Sequence, residues 1–269
     1  LAAGCDGASV TLRVNSLQQG VEGSFAAGTF PSVARSNGYA LAFYNVCGGV
    51  KFTVVQSGIM KVTLRSKDGT SLAGTANVSF ENGLPKVNSV PDGISYVTVN
   101  APSSDGFVPG KDYFLVALPS VLAEGFAVEY ENEYGKSVFS SSSAVQIKRR
   151  IFAELAQNGD CGIIFKDEIA KAACVKAFDK DGDGEVSFNE AKAAASLEGL
   201  FEEYDRVEYF PELVCFTSVR DLTGCCTDCS NLKEVTVPEF ITSIGDKAFY
   251  NCPNITEITL SKIIYIALV

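Results

Sequence analysis

The stretch that decides how this chain is read is Asp179–Glu190, DKDGDGEVSFNE. Oxygen-bearing side chains fall at loop positions 1, 3 and 5, as Asp179, Asp181 and Asp183. Gly184 stands at position 6, where the backbone must turn sharply at positive φ. Glu185 at position 7 offers its carbonyl, and Ser187 at position 9 offers its hydroxyl, directly or through water. Glu190 closes the loop at position 12 as a bidentate ligand. Every position of the pattern D-x-[DN]-x-[DN]-G-x₅-E is filled. Ca²⁺ takes about 6–8 oxygens at roughly 2.3–2.6 Å, and a loop of this length wraps one ion while the following helix holds the last carboxylate. A solvated acidic turn is the bland alternative. The flanks argue against it.

Phe165–Phe178 (FKDEIAKAACVKAF) reads as a helix, with Ile169, Ala172 and Val175 on one side. Phe188–Phe201 (FNEAKAAASLEGLF) is rich in Ala and begins with Asn189 and Glu190 at its acidic end. Together with the loop they resemble an EF-hand. That resemblance implies that Val186, at position 8, pairs with a second hand, but no second loop pattern occurs. Gly162–Phe165 (GIIF), followed by a helix, resembles Gly184–Phe188. Ile163 or Ile164 is therefore expected to bridge to Val186 as a half-hand without a metal.

Composition bounds the rest. The chain has 269 residues, enough for more than one domain, with 46% hydrophobic and 20% charged residues. Its net charge of −10 argues against nucleic acid or anionic lipid as a partner. With no His there are no Ser–His or Cys–His pairs and no imidazole metal sites; with no Trp, sugar stacking is weakened. Nine Cys is an odd number for a secreted disulfide framework. Apolar neighbours around Cys47, Cys174 and Cys215 favour buried free thiols. Cys226-x-x-Cys229 leaves a redox pair open, and with Cys225 a zinc site, though no βαβ context surrounds it. Leu1-Ala-Ala-Gly-Cys5 resembles a lipobox, which implies membrane contact only through a lipid anchor at Cys5.

Residues 9–150 read as strands separated by turns. Ser9–Asn15, Tyr39–Asn45, Val50–Gln56, Ile59–Ser66, Gly74–Phe80, Ser95–Asn100, Asp112–Leu118, Phe126–Tyr130 and a last strand within Ser137–Ile147 make up the set. Asp68-Gly69 reads as a hairpin-type turn. Residues 30–54, 58–74, 107–130 and 144–152 resemble, in order, the fimbrillin-like domains of Bacteroidetes surface proteins. That implies a transthyretin-like β-sandwich used in surface fibres or adhesive modules. Lys148-Arg149-Arg150 reads as a solvated strand end, with a processing site as the rarer alternative. Glu129, Glu131 and Glu133 are the carboxylates an enzyme reading would use, but strand alternation accounts for them more simply.

A repeat follows. Cys229-Ser-Asn-Leu-Lys-Glu-Val-Thr-Val237 recurs as Cys252-Pro-Asn-Ile-Thr-Glu-Ile-Thr-Leu260, a period of 23. Thr242–Cys252 resembles the BspA-type leucine-rich repeat, with its I-x-x-x-A-F-x-x-C mark, and an earlier degenerate copy spans Thr217–Cys229. Roughly three repeats are needed for stability, so the helices are expected to cap the array, with Phe201, Tyr204, Tyr209, Phe210 and Leu213 between them. Residues 263–269 (IIYIALV) form an uncharged, β-prone run expected to pair, by covering the last repeat, docking on the sandwich or making a self-association contact.

The expected fold is mainly β plus α. A transthyretin-like β-sandwich (1–150) is followed by an EF-hand helix–loop–helix (151–208) that caps a short leucine-rich-repeat solenoid (209–269). The expected function is a non-enzymatic cell-surface protein, on an outer membrane or fimbria, for adhesion or recognition. Its partner would be a host or microbial surface protein or matrix component, and Ca²⁺ would be structural. A fimbrial assembly subunit or a calcium-dependent docking scaffold is the alternative.

Overall fold

Alternation of apolar and polar residues builds the largest sheet. In Lys61–Ser66, Tyr96–Asn100 and Phe126–Glu131, the inward set Val62, Leu64, Val97, Val99, Val128 and Tyr130 is buried, while the intervening residues stay in partial contact with solvent. A computed structural model describes residues 9–36, 40–155, 161–202 and 204–261. The chain divides into two compact units, one through Gln157 and one from Asn158.

In the first unit a six-stranded sheet runs in the order Lys136–Ser141, Phe126–Glu131, Lys61–Ser66, Tyr96–Asn100, Leu17–Val21 and Ser24–Phe25. Leu17–Val21 lies parallel to Tyr96–Asn100, and the other neighbours are antiparallel. Ser9–Val14, Gly74–Glu81 and Leu84–Ser89 form a second sheet. Tyr113–Ala117, Gly48–Phe52 and Phe152–Leu155 form a third, the last two parallel. Two further pairs are Ser120–Leu122 with Val145–Ile147 and Ser32–Ser36 with Leu41–Asn45. Phe52, Phe107 and Tyr113 are buried in edge-on and stacked contact, with centroids 4.7–5.9 Å apart. Buried Gln18 copies a backbone pairing. Its Oε1 accepts the Val116 amide at 3.0 Å, and its Nε2 donates to the Val116 carbonyl at 2.7 Å.

This arrangement corrects the expected transthyretin-like sandwich. The strands do not gather into two facing sheets but distribute over several small ones, and two pairings are parallel. The physical reason lies in register. Asp68-Gly69 does not close a hairpin, because Lys61–Ser66 pairs with Tyr96–Asn100 and Phe126–Glu131, while Gly74–Glu81 joins a different sheet. The Asp68 carboxylate instead accepts the amides of Thr70 and Ala123, which commits the chain to a crossing rather than a return.

In the second unit helix α1 (Glu168–Phe178) and helix α2 (Phe188–Ala193) flank the acidic loop. Helix α2 stops well before Phe201. Ala194 closes the last turn on the Ala191 carbonyl with extended ψ, Ser196 Oγ accepts the Glu198 amide, Gly199 takes positive φ, and Leu197 is buried beyond the helix. The expected capped solenoid is also corrected. Among the described residues the repeat region supplies one two-stranded parallel pair, Glu234–Val237 with Glu257–Leu260, plus isolated bridges and the short 3₁₀ turn Pro211–Cys215. Two copies make one interface, which is a single step and not a superhelix. The pair is in register at the sequence period, with Glu234 opposite Glu257 and Val237 opposite Leu260. One apolar core runs from Ile163 through Phe201, Phe210 and Leu213 to Ala248, with Tyr204 packed against it. Cys5 and residues 263–269 lie outside the described residues.

Gly48 and Gly49 open the strand between Tyr113–Ala117 and Phe152–Leu155. A Cβ on Gly49 would collide with the Leu115 carbonyl, and one on Gly48 with the Lys148 carbonyl. Because backbone is what must move, Gly49→Ala should cost at least the ~1–3 kcal/mol typical of overpacking. A urea unfolding curve with an unchanged midpoint would count against this.

Candidate functional site

The acidic loop is shaped by its own amides. Asp179 Oδ1 accepts the Gly182 amide at 2.7 Å and its Oδ2 the Gly184 amide at 2.9 Å. These bonds, the Gly182 one first, hold the Asp179 carboxyl below the ordinary aspartate value. Asp181 Oδ1 takes the Asp183 amide at 3.2 Å, and Asp183 Oδ1 takes the Glu185 amide at 2.8 Å. Gly184 has φ 84°, the turn that position 6 requires. One carboxylate oxygen from each of Asp179, Asp181 and Asp183 lies within 4.8 Å of the others.

Glu190 closes the far side. Its Oε1 accepts the Lys180 amide at 2.7 Å, and its Oε2 accepts the Ser187 amide and hydroxyl, both at 2.9 Å. Burial works against its charge, but the Lys180 and Ser187 donors outweigh it and hold the carboxyl below the ordinary glutamate value. Ser187 Oγ also accepts the Glu190 amide, so Ser187 and Glu190 form a capping box on α2. The Ser187 hydroxyl is thus engaged in capping. The Glu185 side chain turns back to Lys171 Nζ at 2.7 Å, which leaves its carbonyl as the group it can offer the loop. Behind the loop, Val186 is fully buried and its carbonyl accepts the Ile163 amide at 2.7 Å, while the Phe188 amide donates to the Cys161 carbonyl. This is the short bridge expected of Ile163. The donor set is all oxygen, which suits a hard cation such as Ca²⁺ over a softer transition metal.

Two carboxylates escaped the sequence reading. Asp167 Oδ1 caps α1 through the Ile169 and Ala170 amides, at 2.8 and 3.2 Å. Its Oδ2 accepts the amides of Glu208 and Tyr209, at 2.7 and 3.2 Å, 41 and 42 residues along the chain. Glu212 is 2% exposed. Its Oε1 accepts the Lys166 amide at 2.7 Å, and its Oε2 has no hydrogen-bond partner among the described residues. Only the N-cap pattern of Asp167 was visible in the sequence; Glu212 carries no local signal. Tyr209 is flanked by Lys166 Nζ, 3.8 Å from the ring centroid, and by Lys233 Nζ at 5.2 Å.

Two of the three carboxylates an enzyme reading would use are engaged in ion pairs. Glu129 pairs with Arg65 at 3.2 Å across the strands, and Glu131 with Lys61. Arg149 donates to the Asn45 carbonyl at 3.1 Å. No helix among the described residues is long and apolar enough to cross a membrane.

In the repeat region, backbone bonds link each copy to the next. The Lys233 amide donates to Glu208, Thr256 to Lys233, Cys226 to Ala248 and Asp228 to Tyr250. Residues 216–267 match the family model of the BspA type leucine rich repeat region (6 copies). That stretch carries BspA-type leucine-rich repeats. No curated protein and no solved structure matched the chain. Repeats of this type generally bind other proteins, are typically non-enzymatic, and occur in bacterial surface proteins. On the paired strands Val235 and Val237 are buried, whereas Glu234, Thr236, Glu257 and Thr259 face outward.

The buried Glu212 gives a pH dependence with a definite sign. Burial, opposed by the Lys166 amide and reinforced by the nearby Asp167 charge, pushes its carboxyl up from 4.5 to about 7. The other groups facing it are Cys174, Cys215 and the Lys166 ammonium. A raised acid is protonated in the fold and ionised in the unfolded chain. Its contribution is therefore full below about pH 4.5 and is lost, on the order of 3 kcal/mol, as pH rises to about 7. Glu212→Gln should flatten that part of the stability profile and exceed the parent at about pH 8. Parallel profiles for the two proteins in chemical denaturation would sink this account.

Proposed function

We propose that the chain is a non-enzymatic bacterial surface protein that recognises a protein partner through its leucine-rich repeats. A Ca²⁺ ion in the Asp179–Glu190 loop would order the repeat-bearing unit. The observation that carries the reading is the match of residues 216–267 to the BspA-type repeat, with the two copies in register. The calcium part rests on the loop, whose three aspartates converge and whose Glu190 reaches across to the Lys180 amide. Asp179, Asp181, Asp183, the Glu185 carbonyl and Glu190 would hold the ion, with Ser187 acting through water because its hydroxyl serves the cap. The role is structural. Extracellular sites of this kind bind on the order of 10⁻⁴–10⁻³ M Ca²⁺. The partner would be a surface or matrix protein of a host or neighbouring cell, contacted by the outward positions Glu234, Thr236, Glu257 and Thr259.

Two measurements test this. Calorimetric titration of chelator-stripped protein should show one Ca²⁺ site, and the ion should add about 1.4 kcal/mol at ten times Kd. Asp183→Ala should remove that gain without touching the cap, whereas Glu190→Ala should also cost about 1 kcal/mol in the absence of calcium. A parent melting curve indifferent to calcium would refute the ion's role. For recognition, the parent and a variant with Glu234, Thr236, Glu257 and Thr259 all changed to Ala would be compared on immobilised matrix proteins. Equal binding by both would move the contact surface elsewhere.

A further inference from the structure

Two copies of one repeat should bury the same positions, and here they do not. In the first copy Cys229, Leu232, Val235 and Val237 are buried. Their equivalents 23 residues on are Cys252, Ile255, Ile258 and Leu260. Cys252 and Ile255 are only partly buried, and Ile258 and Leu260 remain 43% and 38% exposed. Tyr250 of the same copy is also exposed. The second copy stacks on the first, whereas Glu257–Leu260 has a strand neighbour on one side only among the described residues.

The open side is also a row of backbone groups. The Ser261 amide donates to the Val237 carbonyl. Amides alternate in direction along a strand, so those of Leu260 and Ile258 point the other way, toward the open edge. Backbone groups at the edge and bare apolar side chains thus belong to the same two residues. An edge of this kind is a template for a further strand. The start of the array offers no such edge, because Tyr209 bridges to Glu234 and the Lys233 amide donates to the Glu208 carbonyl. A second copy therefore has no place to add head to tail, which leaves like edge on like edge.

We propose that two copies of this chain pair through Glu257–Leu260, as antiparallel neighbours about a twofold axis at Thr259. In that register Ile258 of each copy lies opposite Leu260 of the other. These are the residues whose backbone groups face the edge, so each such pair exchanges both of its hydrogen bonds. Thr259 meets Thr259 of the second copy, and Glu257 meets Ser261. Apolar then lies beside apolar, and no carboxylate stands opposite another. Moving the axis to Ile258 would set Leu260 against Thr256, and moving it to Glu257 would set two carboxylates face to face. An isologous contact of this kind closes on itself and removes the edge. The axis stands perpendicular to the sheet, so the outward positions of both copies fall on one continuous face. A partner that the repeats recognise would meet that surface twice over.

The test is sedimentation equilibrium of the full chain under reducing conditions, over a range of concentrations. The expected mass at the upper end is that of a dimer. Changing Ile258→Lys and Leu260→Lys together should return it to a monomer with the parent's thermal melting curve, since both side chains are exposed in the single chain. Thr259→Cys sets two thiols across a non-hydrogen-bonded pair, at a Cα separation of about 4.5 Å that a disulfide spans. On mild oxidation this variant should give a covalent dimer whose linked peptides carry position 259 from both copies. A parent that stays monomeric at every concentration would overturn the proposal. So would a dimer that survives the double substitution, or a Thr259→Cys dimer that oxidises without those linked peptides.

Discussion

The second unit hangs on one carboxylate. Asp167 divides its two oxygens between tasks, one capping α1 and the other gathering the Glu208 and Tyr209 amides. Helix α1 leads directly into the acidic loop, and Glu208 lies beside the first strand of the repeats, where its carbonyl takes the Lys233 amide. Moving Asp167 would therefore uncap a helix and release the entry to the repeats together. Glu212 doubles the joint by taking the Lys166 amide from inside the core. A carboxylate that serves four amides is worth more than a single N-cap, because each orphaned amide in a partly buried setting carries its own desolvation cost.

The loop was legible because its chemistry is local. Twelve consecutive residues set the converging aspartates, the glycine turn and the closing glutamate, and helices α1 and α2 fall on the flanks that periodicity marked. The repeat was legible for a related reason: a fixed period of 23 becomes a fixed register, Glu234 opposite Glu257. The length of α2 was not. Phe188–Phe201 is rich in helix formers, but the helix ends at Ala193, and Ala194, Leu197 and Leu200 are buried beyond it, so tertiary packing overrides propensity here. Asp167 and Glu212 matter through partners dozens of residues away, and no local pattern announces a distant amide.

In the first unit, alternation located most strands and misjudged how they assemble. Leu17–Val21 (LQQGV) has little apolar content, yet it pairs parallel with Tyr96–Asn100, and its buried Gln18 makes a polar link to Val116 of a different sheet that a hydrophobic pattern cannot show. Phe152–Leu155 fell at the start of the stretch assigned to the helix–loop–helix module, and Gly48-Gly49 lay between the expected strands Tyr39–Asn45 and Val50–Gln56. Both join the same sheet, where the missing side chains let the Leu115 and Lys148 carbonyls approach. Strand identity is a short-range property, whereas the choice of partner is set by register and close approach across the whole unit.

Calcium in the loop and order in the repeats would be linked through aromatic packing. Phe178 immediately precedes Asp179, and its ring lies 5.2 Å from that of Phe216, the first residue of the matched repeat segment. Phe216 meets Phe210 at 5.8 Å, and Phe210 meets Phe201 at 5.1 Å. At the other side of the loop, buried Val186 is bonded to Ile163 in the same core. Both ends of the loop are thus anchored in packing that the repeats share. An ion that binds only the folded loop would add its binding free energy to the folding of that whole core, not to twelve residues alone. Without it, the exposed aspartates would repel one another at the point where Phe178 enters the aromatic row, so loosening should begin there and pass first to Phe216 and the start of the repeats.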